Sequence, residues 1–120
     1  MGLYMCIGTL NEGDTYIRSE NELLYWNGAH SIHNWFVNQK QIGAEHSKLY
    51  PITKKDLEDL LAVCKKVMEN NALSSILLPS SEKSYTQRYF ERIELTIDLI
   101  EMKLEYCDLN TEKLCYQADW

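Results

Sequence analysis

The chain has 120 residues, 45% of them hydrophobic, with 12 lysines and arginines against 18 aspartates and glutamates for a net charge of −6. A chain of this length buries roughly two thirds of its unfolded surface, so one domain over 1–120 can hold a core without metal or disulfide staples. The acidic balance excludes a general phosphate-binding surface, because nucleic-acid affinity comes largely from Lys and Arg displacing counterions, and it favours a basic protein partner over direct nucleic-acid contact.

The N-terminus Met1-Gly2-Leu3-Tyr4-Met5-Cys6 lacks the charged and apolar regions of a signal peptide. No apolar run approaches the roughly 18 residues of a membrane span, so the expectation is a cytoplasmic protein without membrane contact. Cys6, Cys64, Cys107 and Cys115 show no Cys-x-x-Cys spacing and no histidine placed to complete a zinc set. They read as reduced core residues, with no metal and no other cofactor.

In chain order, Leu3 to Thr9 is rich in strand formers, Asn11-Glu12-Gly13-Asp14 is turn chemistry, and Thr15-Tyr16-Ile17-Arg18 is strand-like again, which predicts a small hairpin. Ser19-x-x-Glu22 has the shape of a capping box. Leu23, Leu24, Trp26, Ile32, Trp35, Phe36 and Val37 then recur at helical spacing, predicting a first helix over about 20–38, apolar nearly all round and therefore central. Gly28 inside it implies a close backbone approach or a local irregularity. Gln39 to Tyr50 reads as polar loop, and Pro51 bars helix continuation.

A second helix over 53–70 is capped by Thr53 and Asp56 and carries Leu57, Leu60, Leu61, Cys64, Val67 and Met68 on one face. Ser74 to Leu78 is too short for a helix of its own and reads as a strand or extended linker. A third helix over 85–107 opens with Ser84-Tyr85-Thr86-Gln87 and carries Phe90, Ile93, Ile97, Ile100, Leu104 and Cys107 on one stripe. The tail from Lys113 to Trp120 alternates as a final strand beside the N-terminal hairpin. The fold class expected is α+β, three helices packed with a small antiparallel sheet from both termini.

Two constellations stand out. Glu91, Glu94, Asp98, Glu101, Glu105 and Asp108 repeat at helical spacing about 100° round from the apolar stripe, forming an acidic ridge along the third helix. Such a ridge is a solvated face or, more sharply, a docking face for a basic groove. The second is Tyr25 to Phe36, where Trp26, His30 and His33 fall on one face of the first helix if it is continuous. With Tyr116 and Trp120 from the tail they form an alternative small-ligand site, although Trp26, Ile32, Trp35 and Phe36 also read as core, with His33 hydrogen-bonded at its edge. No third ligand completes a metal set there. No nucleophile elbow, phosphate-cradling glycine loop or exposed, electropositive cysteine is found, so no catalytic residue is assigned and enzymatic activity is not expected.

Met1-Gly2-Leu3-Tyr4-Met5, the Tyr25-Trp26 to Ile32-His33-Asn34-Trp35-Phe36 segment, and Tyr116 to Trp120 resemble a largely uncharacterised family of small phage and prophage proteins. Its members open Met-Gly-Leu-Asp-Met and carry Tyr-Trp-Arg-Lys-Ala-Asn-x-Ile-His-x-Trp-Phe. Here Tyr4 replaces the family's Asp, Asn27-Gly28 its Arg-Lys pair and His30 its Asn, and Ser80 to Ser84 is reduced from a Gly-aromatic loop. The resemblance implies a mobile-element origin and a shared fold, with the apolar set kept and the polar set lost. Small acidic proteins of such origin commonly occupy a host protein's binding surface. The leading expectation is therefore a non-enzymatic, anti-CRISPR-like inhibitor of a host defence protein with a basic surface, acting in the cytoplasm of a bacterial host. Sequestration of a nucleotide signal is the alternative, and a self-associating assembly protein is a third reading.

Overall fold

The computed structural model describes residues 4–27, 29–40, 49–80, 85–106 and 114–119. Their elements in chain order are β1 (Tyr4–Thr9), β2 (Glu22–Asn27), α1 (His30–Lys40), β3 (Leu49–Pro51), α2 (Lys54–Glu69), α3 (Ser74–Leu77), α4 (Gln87–Tyr106) and β4 (Leu114–Asp119). Four strands form one antiparallel sheet in the order β2-β1-β4-β3. The α+β class and the docking of the tail on the N-terminal strand are as expected, with Tyr4 opposite Asp119 and Thr9 opposite Leu114.

The described residues form four α-helices rather than the three expected, and they depart from the expected elements in four places. Residues 22–27 are not the start of the first helix but strand β2, the true partner of β1. Leu24 and Trp26 are buried while Tyr25 between them is exposed, a period of two that a strand needs and a helix cannot supply. The helix begins only at His30, where the Ile32 and His33 amides donate to the Ala29 carbonyl. Gly28, expected inside the helix, lies outside the described residues.

Thr15 to Arg18, expected as the second hairpin strand, belongs to the connection between β1 and β2. That connection folds back over the sheet: the Ile17 amide donates to Gln117 Oε1 at 2.7 Å, and Ile17 is buried beside Cys6 and Cys115. Gly8 is required beneath it, since a Cβ there would stand 2.3 Å from the Asn21 carbonyl oxygen and 2.8 Å from Ile17 Cγ2. Gly13 turns the connection with φ +84°, which glycine enters without penalty. Asp14 and Arg18 form a two-bond ion pair at 2.8 and 3.1 Å, whose guanidinium holds the Asp14 carboxyl low.

The third correction is β3. It is three residues long within a stretch expected as loop, and it pairs with β4 at the sheet edge, where Pro51 is tolerated because among the described residues no further strand needs its missing N–H. The fourth is Ser74–Leu77, which is a single helical turn following a 3-10 turn at Asn71–Leu73, not a strand or linker.

The second and third helices stand where expected as α2 and α4. Thr53 and Asp56 form a reciprocal capping box on α2, the Asp56 amide donating to Thr53 Oγ1 and the Thr53 amide to Asp56 Oδ2. The main core lies between one sheet face and the helices: Met5, Ile7, Leu24, Trp26, Leu114 and Tyr116 meet Ile32, Phe36, Leu57, Leu60, Cys64, Ile93 and Ile100. At about 25 cal/mol per Å² of apolar area, each such large side chain contributes roughly 1.5–3 kcal/mol on burial. Tyr116 is at the centre, with ring centroids 4.2 Å from Phe36, 5.2 Å from Tyr50 and 5.9 Å from His33.

Candidate functional site

The residues proposed for small-ligand binding are distributed rather than gathered. Trp26 is buried in β2, His30 is exposed at the first turn of α1, and His33 is buried one turn later. Because Trp26 belongs to a strand, it is not one helical turn before His30. His33 Nδ1 and the Tyr116 hydroxyl are 2.8 Å apart, a buried hydrogen bond between α1 and β4. This is the core-edge bond expected of His33, and it uses the tyrosine that the ligand reading would have offered to solvent. Trp120 lies outside the described residues.

Burial pushes the Cys6 and Cys64 thiols up to about 12 and raises Cys115, so all three are held protonated and unreactive, Cys6 with added repulsion from Glu22. Cys107 is outside the described residues. Tyr4 is raised by burial and by donating its hydroxyl proton to Glu22 Oε1. Among the described residues no three His, Cys, Asp or Glu side chains cluster as metal ligands, and no helix is long and apolar enough to cross a membrane.

Surface character concentrates instead on α4, a 20-residue helix with three distinct faces. The first, with Ile93, Thr96 and Ile100 buried, packs into the core against α2. The Thr96 hydroxyl donates to the Arg92 carbonyl one turn back at 2.8 Å, which lets a polar residue sit in that face.

The second face is the acidic ridge. Glu91, Glu94, Asp98, Glu101 and Glu105 are all exposed; Asp108 lies outside the described residues. From Glu91 to Glu105 the ridge runs about 21 Å at 1.5 Å per residue. It is anchored at two points, by Gln87 Nε2 donating to Glu91 at 3.0 Å and by Lys65 of α2 pairing with Glu101 at 2.9 Å. Both ends of the Lys65–Glu101 pair are about half exposed, so it contributes a few tenths of a kcal/mol.

The third face escaped the sequence reading. Leu95 and Met102 are each 45% exposed and, with Leu99, flank a cleft of about 510 Å³ between α4 and β2. Leu23, Leu24, Tyr25 and Trp26 line its strand side, and Arg92 and Lys103 line it on the helix side. Neither His30, His33 nor Tyr116 contributes to it. Its signal was in the sequence, since Arg92, Leu95, Leu99 and Met102 follow a 3-4-3 spacing distinct from the core stripe. It was hidden because residues 22–27, which complete the cleft, read as helix. Leu23 leans into the cleft because the β1/β2 register shifts between Ile7 and Gly8, which pair with Leu24 and Glu22 and leave Leu23 as the extra residue of a bulge. The Trp26 indole N–H is buried with no acceptor among the described residues.

Comparison with models of known protein families, with curated proteins and with solved structures finds no match for this chain.

Proposed function

We propose that this chain is a non-enzymatic inhibitor of phage or mobile-element origin that binds a host defence protein, its α4 ridge occupying a basic nucleic-acid-binding surface in the manner of an anti-CRISPR protein. The observation that carries the reading is the row of five exposed carboxylates on one helix face. Their axial spacing averages about 5 Å, against 3.4 Å per phosphate along one strand of duplex DNA, so the ridge presents a sparser version of the charge line such a surface is built to meet. A rigid helix holds that line without the ordering cost a flexible acidic tail would incur on binding.

The reading is tested by capture from a bacterial host lysate on the immobilised protein, at low and at moderate salt, with the retained proteins identified by mass spectrometry. A basic nucleic-acid-handling protein released by salt, and lost with the combined Glu94→Gln, Asp98→Asn and Glu101→Gln variant, is the expected result. Capture that is indifferent to both salt and the substitutions rejects the ridge as the epitope.

A further inference from the structure

The two edges of the sheet are protected unequally. β3 closes one edge with three residues, one of them Pro51, which cannot donate to an added strand. β2 closes the other with six residues and no proline, and among the described residues nothing pairs along its outer side. Natural edge strands of that length are normally blocked, and among the described residues the bulge at Leu23 is what interrupts this one.

Beside this open edge runs the cleft, with Leu23, Leu95, Leu99 and Met102 for apolar contact and the cations Arg92 and Lys103 among its lining. Cationic lining is notable in a chain of net charge −6 and on a helix whose neighbouring face is acidic. Arg92 and Lys103 are 11 positions apart, roughly 16 Å along α4. Residues four apart on one face of an extended strand lie about 13 Å from each other, a span that long Arg and Lys side chains readily close.

We propose that the β2 edge and the α4 cleft receive an extended peptide segment of a partner protein, added to the sheet as a fifth strand. Main-chain bonds to β2 hold the segment, one apolar side chain enters the cleft over Leu99, and carboxylates two residues to either side meet Arg92 and Lys103. A second copy of this chain fits less well. Packing two α4 cleft faces antiparallel would bring Glu91, Asp98 and Glu105 of one copy alongside the same residues of the other, setting like charges together. The proposal is independent of the ridge, which lies on another face of the helix.

The probe is a fluorescein-labelled heptapeptide with leucine at its centre, glutamate two places to either side and threonine elsewhere, tested by fluorescence anisotropy. Its lysine-for-glutamate counterpart and a version N-methylated at alternate amides serve as comparisons. Saturable binding of the glutamate peptide is expected, at least tenfold weaker for the other two. The paired Arg92→Glu and Lys103→Glu variant should reverse the preference and bind the lysine peptide, an outcome that also shows the variant is folded. Equal binding of the glutamate and lysine peptides overturns the charge assignment, and undiminished binding of the N-methylated peptide overturns strand addition. No binding of the glutamate peptide overturns the proposal, as does a dimer in sedimentation that excludes it.

Discussion

Cys64 faces inward from α2 with no exposed surface, and burial alone pushes its thiol from 9.0 up to about 12. The folded chain therefore keeps a proton that the unfolded chain releases between those values, so stability is intact below about pH 9 and falls as pH rises toward 12. At 1.36 kcal/mol per pH unit the loss from this one group reaches about 3 kcal/mol by pH 11. Cys6, also raised to about 12, acts in the same direction. Urea unfolding at pH 8 and pH 11 should show that fall, and Cys64→Ala should flatten it by about 3 kcal/mol, whatever its cavity costs at neutral pH. An equally steep fall in the variant places the alkaline sensitivity elsewhere. The sequence showed this thiol as a core residue because Leu57, Leu60, Leu61, Cys64 and Val67 share one helical stripe, and local spacing is enough to place such a group.

At the level of elements, legibility followed length and periodicity. α2 and α4 carry three or more turns of one pattern and a capping box or clean apolar stripe, and both appeared within two residues of their expected ends. β2 failed because Ser19 and Glu22 imitate a capping box while making a 3-10 turn, and because a bulge at Leu23 breaks the alternation that would have marked Leu24 and Trp26 as a strand. With β2 hidden in this way, the cleft is hidden too, and Trp26 falls beside His30 in a helical pattern that the fold does not adopt. The spacing of the ridge from Glu91 to Glu105 was legible, since α4 needs no distant partner to define its faces; Asp108 lies outside the described residues. Its four successive carboxylate pairs at i, i+3 or i, i+4 each cost about 0.2–0.5 kcal/mol in low salt. Substituting Glu94→Gln, Asp98→Asn and Glu101→Gln should therefore leave the fold as stable or raise it by about 1 kcal/mol at low ionic strength, with the gain shrinking in salt. Thermal unfolding followed by circular dichroism checks this, and destabilisation by the substitutions would mean the Lys65–Glu101 pair holds α4 on α2 more strongly than its exposure suggests.

At the scale of the whole molecule, the two central strands of the sheet, β1 and β4, are its first and last among the described residues, and neither has its inner neighbour until the stretch from Tyr4 to Asp119 has been assembled. Pairing across that separation is slow because loop-closure entropy must be overcome before the contacts form. The same topology brings Tyr4 opposite Asp119, about 5 Å apart at the Cα atoms of an antiparallel pair, so the two ends of the sheet are already adjacent. Joining the chain ends with a short glycine-serine linker and opening the exposed turn between Glu12 and Gly13 turns β4 and β1 into a local hairpin. The turn can be cut at modest cost because the connection is also held by Ile17 to Gln117 and by Arg18 to Asp14. The permuted chain should retain the circular dichroism spectrum of the parent and refold at least several-fold faster in stopped-flow dilution from urea. An unchanged refolding rate would show that β1/β4 pairing is not limiting, and would shift the slow step to the docking of α2 and α4 on the sheet face that holds Tyr116.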